Sequence, residues 1–291
     1  MKLRLFVILF LSIMSATLAR AVSLEAKRGV VADGYNFWLC RPDSVSAGTP
    51  KPVIIFLHGA SLCGNDLSRV RRYGTIDALE RGRQVDAFVI APQNPGGAWQ
   101  PKKVMNILEW VMEHNCVDSS RVYVMGMSLG GYGTLDMAAA YPDRIAAAMA
   151  FCGGATADRL SGLNELPLWI VHGTADRAIS VAESDKVVKA MKIDEPQTPR
   201  LIYDRIQGMN HAQPARFFYM QECYDWLLSH CLTDEGRPCS ERFDITAPLK
   251  GAYKGLNNNG KKVRKGKTYR KGRSSSRKKA RRHSRRSART R

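Results

Sequence analysis

From residue 53 onward the chain alternates unbroken apolar runs with segments of helical period, and few folds accept that order. Val53-Ile54-Ile55-Phe56-Leu57 and Ala87-Phe88-Val89-Ile90-Ala91 have no polar side to turn toward water. Strands of that kind must be covered on both faces. Between 101 and 116, Val104, Ile107, Leu108 and Val111 fall on one helical face, with Pro101 in the first turn, where a missing N–H costs nothing. The same grammar predicts strands at 121–125, 147–151, 166–171 and 200–206, and helices at 129–141, 183–191 and 214–228. Such an order builds an α/β fold: a mostly parallel central sheet with helices on both faces. Two earlier segments, 24–31 and 35–40, read as an antiparallel pair added at one edge. No internal repeat interrupts the pattern.

Charge divides the chain. It carries 45 Lys and Arg against 26 Asp and Glu, a formal net charge of +19. Nineteen of the basic residues lie between Lys250 and Arg291, where there is no acid, so residues 1–249 hold 26 of each sign. The balance of the body excludes a basic nucleic-acid-binding fold. Residues 250–291 are rich in Gly, Ser and Asn besides their charge, and read as a solvated, disordered Lys/Arg-rich tail outside the core. At the other end, Lys2 and Arg4 precede an apolar run from 5 to 18, followed by Ala19-Arg20-Ala21. A charged start, a short apolar middle and a small-x-small exit describe a secretory signal peptide over 1–21. The run is shorter than the ~20 residues a bilayer span needs. The expected domain is therefore 22–249, working in the periplasm or outside the cell, with no transmembrane span after cleavage. Seven cysteines in an oxidising compartment could pair, although the odd number leaves one over and no C-x-x-C occurs. Cys152 reads as a small buried hydrophobe.

Chemistry enters at Gly126-Met127-Ser128-Leu129-Gly130, a G-x-S-x-G between a predicted strand and a predicted helix. A serine on so sharp a turn is pushed out above the sheet edge, and the flanking glycines must be small because side chains there would collide. Its partners belong beyond later strands, an acid and then a histidine. Asp176 follows the 166–171 strand and His211 follows the 200–206 strand. Ser128 would be the nucleophile, His211 the base and Asp176 the group that orients it. Asp158, Asp185 and Asp194 are solvated rivals, His114 and His230 fit structural roles, and His172 reads as shaping a loop. The oxyanion formed on attack needs donors: the N–H of Leu129, and one from the loop His58-Gly59-Ala60-Ser61, with Ala60 placed first and Ser61 second.

With Leu57-His58-Gly59, Ala91-Pro92-Gln93, Ser128-Leu129-Gly130-Gly131-Tyr132-Gly133, Tyr141-Pro142-Asp143-Arg144 and His172-Gly173 with Asp176, residues 51–232 resemble the α/β-hydrolase superfamily. Within it they are similar to small single-domain esterases and prolyl-oligopeptidase-like hydrolases, such as feruloyl and acetyl-xylan esterases, polyhydroxybutyrate depolymerases and phospholipase/carboxylesterases. The resemblance implies the α/β-hydrolase fold and a Ser-His-Asp acyl-enzyme mechanism. At the first His-Gly, Ala60-Ser61-Leu62-Cys63 replaces the more Gly-rich family loop. Only about 14 residues separate the strand ending near Phe151 from the next, too few for a lid domain, so the serine is expected in an open cleft. Trp99 is placed at that cleft as a substrate contact, with packing on the 101 helix as its alternative. No metal-ligand cluster and no dinucleotide fingerprint appears, so no cofactor is expected.

Three functions fit these features. The first is a secreted serine hydrolase of carboxylic esters, small or polysaccharide-linked, with the tail as an electrostatic tether to anionic lipid, lipopolysaccharide or acidic polysaccharide. The second is a peptidase of the prolyl-oligopeptidase-like type, disfavoured by the absence of a gating domain. The third is a polycation-tailed binding protein with an incidental hydrolase body. Nucleic acid is disfavoured as a partner, because Tyr253 and Tyr269 are too few for base stacking and export removes chromosomal DNA.

Overall fold

The computed structural model describes residues 23–42, 48–245 and 249–257. The expected signal segment and most of the expected tail lie outside them. Eight strands form one sheet: β1 (Ser23–Lys27), β2 (Phe37–Arg41), β3 (Lys51–Leu57), β4 (Phe88–Pro92), β5 (Val117–Met127), β6 (Ala147–Phe151), β7 (Leu168–Gly173) and β8 (Leu201–Ile206). Their spatial order is β1-β2-β4-β3-β5-β6-β7-β8. From β4 to β8 every pairing is parallel. β1 and β2 run antiparallel at one edge, as expected, with β2 pairing antiparallel to β4. Helices α1 (Thr75–Glu80), α2 (Pro101–His114), α3 (Leu129–Ala140), α4 (Ala182–Asp194) and α5 (Gln221–Leu228) cross between or follow the strands. Among the described residues no helix is long and apolar enough to cross a membrane.

The unalternating strands feed two cores. On β3, Ile54 and Phe56 face one core with residues of α1 and α5, while Val53, Ile55 and Leu57 face the other with α2, α3 and α4. The period-2 geometry of a strand thus explains why both positions of each pair had to be apolar.

Two expectations need correction. The predicted last helix, 214–228, is broken: Gln213–Tyr219 is a 3₁₀ helix, Met220 is extended, and only then does α5 begin. The 3₁₀ segment packs on Phe151: Phe217 stacks on that ring at 4.9 Å between centroids and Phe218 meets its edge at 5.3 Å. The extended backbone of Met220 then separates it from α5. Part of the segment assigned to the expected tail from 250 packs with the body. Leu249, Ala252 and Leu256 are buried in the core with α1 and α5, and the Asn257 N–H donates to the Arg81 carbonyl at 2.8 Å. A Leu-x-x-Ala-x-x-x-Leu spacing over barely two turns was hidden by the basic composition of the residues beyond it.

Candidate active site

Ser128 occupies the junction of β5 and α3 with φ 59° and ψ −122°, a left-handed conformation that a non-glycine residue adopts only when its surroundings enforce it. The enforcement is steric. A Cβ on Gly130 would lie 1.9 Å from the Leu57 carbonyl oxygen, and one on Gly126 would lie 2.3 Å from the Gly130 oxygen. The turn is thereby pressed onto the end of β3, and the Ser128 N–H is held by the Phe151 carbonyl of β6 at 2.9 Å.

The predicted partners converge on it from the carboxyl ends of β7 and β8. His211 Nε2 stands 3.0 Å from Ser128 Oγ, and His211 Nδ1 stands 2.7 Å from Asp176 Oδ2. With the carboxylate accepting from Nδ1, Nε2 is left as the acceptor for the serine hydroxyl proton. The Asp176 side chain is fully buried, and its other oxygen accepts from the N–H groups of Ala178 and Ile179, each at 2.9 Å. Burial pushes this carboxyl up, but the Ile179 and Ala178 N–H bonds and His211 outweigh it and hold the group below its ordinary value. It stays ionised where an imidazolium would need it. Asp158 and Asp194 are exposed, and Asp185 is hydrogen-bonded to Tyr203 at 2.7 Å, away from the histidine.

Several residues besides Ser128, Asp176 and His211 set this geometry. His172 is buried beneath the acid loop, with Nε2 donating to the Ile179 carbonyl at 3.0 Å and Nδ1 2.8 Å from Ser184 Oγ. It shapes the loop, as expected. Thr174 and Gly173 tie that loop to the histidine loop. The Thr174 hydroxyl accepts from the Gly208 N–H, Ala175 N–H donates to the Met209 carbonyl, and a Cβ on Gly173 would sit 2.1 Å from the Met209 oxygen. His172 and Gly173 carried a sequence signal as the His-Gly pair; Thr174 carried none of its own.

Leu129 is the first residue of α3 and Ala60 the first of a 3₁₀ turn, Ala60–Leu62, so neither N–H has an intrahelical acceptor. Both border the cleft in front of Ser128, as does Ser61. The cleft measures about 640 Å³. Met127, Ile179, Ala212, Ala215, Tyr73 and Tyr132 complete its largely apolar wall. None of these six was expected, although Ala212 and Ile179 follow closely on site residues.

Trp99 does not belong to that wall. It is buried, its indole N–H donates to the His58 carbonyl at 3.2 Å, and it meets the rings of Tyr35 and His58 edge-on. A Cβ on Gly133 would lie 2.7 Å from it, so the indole fills the space that the glycine of α3 leaves open. The expected substrate contact is a packing residue behind the loop that carries Ala60. Cys63, Cys116, Cys152, Cys223, Cys231 and Cys239 are free thiols, with Cys152 fully buried as expected. Among the described residues one group of donors could hold a metal ion: Cys152, Asp176 and His211, whose ligand atoms lie within 4.8 Å of one another.

The model of the Prolyl oligopeptidase family matches residues 86–160, a stretch that includes Ser128 but neither Asp176 nor His211. A probable acetylxylan esterase A from Aspergillus clavatus is 27% identical over 50% of this chain and 47% of its own length, so the chain spans about half of that relative. Feruloyl esterase D from Neurospora crassa is 24% identical over 74% of this chain and 77% of its own. Among solved structures, a thermostable esterase superposes with a TM-score of 0.58 at 22% identity, covering 72% of this chain and 63% of that one.

Proposed function

Starting from an α/β-hydrolase with its likenesses among esterases, we propose that the chain cleaves carboxylic esters through Ser128, His211 and Asp176. The observation that carries this is the relay Ser128 Oγ to His211 Nε2 to Asp176, at 3.0 and 2.7 Å, facing a cleft bordered by two helix-start N–H groups. An unassisted serine hydroxyl is a poor nucleophile at neutral pH. Here Ser128 Oγ attacks the ester carbonyl as His211 Nε2 takes its proton. The carbonyl oxygen becomes an oxyanion, which the N–H groups of Leu129 and Ala60 stabilise; each such donor contributes roughly 3 kcal/mol to the transition state. Asp176 balances the imidazolium. The intermediate then collapses, His211 hands its proton to the departing alcohol oxygen, and the acyl group stays on Ser128. Water repeats the sequence in reverse roles, releasing the acid and restoring the serine.

Esters are favoured over peptides because the relative with the broader coverage is a feruloyl esterase, whereas the prolyl oligopeptidase match ends before the acid and the histidine. Export through residues 1–21 and tethering through the basic residues after 257 complete the reading, and the substrate class is an acyl group on a small or polysaccharide alcohol. Turnover of acetyl, feruloyl and longer-chain aryl esters by the chain from residue 22 tests it. Ser128→Ala should lower kcat by at least about 10³-fold. Equal turnover by both proteins, or cleavage of short peptides without cleavage of esters, overturns it.

A further inference from the structure

The mechanism has no use for Cys152, yet its thiol lies against the two residues on which proton transfer depends. Cys152 follows β6, its backbone at φ 41°, and its side chain is fully buried. β6, β7 and β8 are neighbours in the sheet, and the loops at their carboxyl ends bring Cys152, Asp176 and His211 together. One sulfur, one carboxylate oxygen and one ring nitrogen thus lie within 4.8 Å of one another. Zinc takes these three ligand types at about 2.3, 2.0–2.2 and 2.0–2.1 Å, which at tetrahedral angles separates the donors by roughly 3.3–3.7 Å. Donors already this close need shifts of about an ångström or less to close on one ion.

We propose that Cys152, Asp176 and His211 form an inhibitory site for a thiophilic divalent cation, with Zn²⁺ the best match. Charge favours it. A thiolate and a carboxylate offset the two charges of the ion, and the imidazole binds neutral, so no net charge is buried. Binding releases the thiol proton to solvent and forms one bond from the metal to each of sulfur, nitrogen and oxygen. No electron is transferred. Inhibition follows from the imidazole having a single lone pair. Whichever ring nitrogen the metal takes, the other carries the proton, and His211 can no longer accept one from Ser128. The remaining cysteines lie elsewhere in the fold and do not share this donor set.

The turnover arm rests on the proposed esterase reading; the binding arm does not. The chain from residue 22 is titrated with ZnCl₂ by calorimetry, and with Co²⁺ while the near-ultraviolet sulfur-to-cobalt charge-transfer band is followed. The expected result is one ion per chain, ester turnover lost in proportion to occupancy, and recovery on adding a chelator. Ser128→Ala, inert toward esters, should bind the ion as tightly as the wild type. Cys152→Ala should lack the cobalt band and bind Zn²⁺ more weakly by about tenfold or more. Cys152→Ser replaces the soft ligand with a hard one and should behave likewise, and thermal melts establish that each variant is folded. Undiminished binding by the folded Cys152 variants overturns the site, as does the absence of a charge-transfer band in the wild type. Stoichiometric binding with the band, in a protein that turns over no ester, would uphold the site and overturn the esterase reading.

Discussion

His58 shows how much of the site rests on a residue that performs no chemistry. It is buried behind the loop that carries Ala60, its Nε2 accepting from the Asn94 N–H at 3.0 Å, which places the ring proton on Nδ1 beside the Gly59 carbonyl at 2.9 Å. Burial lowers its pKa from the ordinary 6.5 to about 4, despite the opposing effect of that carbonyl. The unfolded chain therefore binds a proton near pH 6.5 that the folded chain refuses until about pH 4. Between those values the unfolded state holds more protons, so stability falls as the pH falls, by about 3 kcal/mol across the window. Urea unfolding at pH 7.5, 6, 5 and 4.5 should show that decline, and His58→Gln should reduce it, leaving the part carried by His172 and His230, whose pKa values burial also lowers. A slope unchanged in the variant would mean that other groups carry the acid sensitivity. Ser128, Asp176 and His211 were legible as residues because the chemistry restricts each to a few residue types at strand ends. Trp99 was legible only as lying on a loop at the right sheet edge. Which way its indole turned depended on the space left at Gly133, which lies 34 positions away in sequence.

At the scale of elements, the unit β5–Ser128–α3 is where local sequence and tertiary contact coincide. Gly130 is confined by backbone atoms of β3, which cannot rotate out of the way as a side chain could. Gly130→Ala should cost about 3 kcal/mol or more, or prevent folding, whereas Gly96→Ala, with open space around its Cβ position, should cost less despite its φ of 155°. Thermal denaturation of the pair measures the difference, and similar melting points would contradict the steric account. α3 itself carries little amphipathic signal, because eight of its twelve residues are buried around the helix. Its buried Asp136 accepts from the Thr156 and Ala157 N–H groups at 2.7 and 3.0 Å, an arrangement no local pattern announces. The segment from Gln213 to Leu228 makes the same point in reverse: it reads as one helix, whereas the fold has a 3₁₀ helix packed on Phe151, an extended Met220 and then α5.

For the whole molecule, the division between body and tail changes with the tertiary structure. Composition places the boundary at 249, whereas packing carries the body to 257. A chain ended after residue 257 should melt like the full-length protein and hydrolyse the same esters. One ended after residue 248 loses the burial of Leu249, Ala252 and Leu256, and should be less stable by roughly 2–4 kcal/mol. Equal melting points for the two truncations would mean that this segment adds nothing. Ending the chain at 257 removes 17 Lys and Arg and should also release the protein from anionic vesicles or acidic polysaccharide at low salt. Retention equal to that of the full chain would remove the tether.

The sequence by itself determined the alternation of strands and helices, the parallel sheet, the sharp turn at Ser128 and the strand ends after which Asp176 and His211 follow it. Each of these comes from rules that act over a few residues: side-chain period, glycine at a crowded turn, and the need of a serine for a base. Only the tertiary structure decided the rest. It turned Trp99 inward, broke the last helix, drew Leu249, Ala252 and Leu256 into the core and set Cys152 against Asp176 and His211. Those outcomes depend on volumes and donors contributed by strands far apart in the chain, which no local pattern carries.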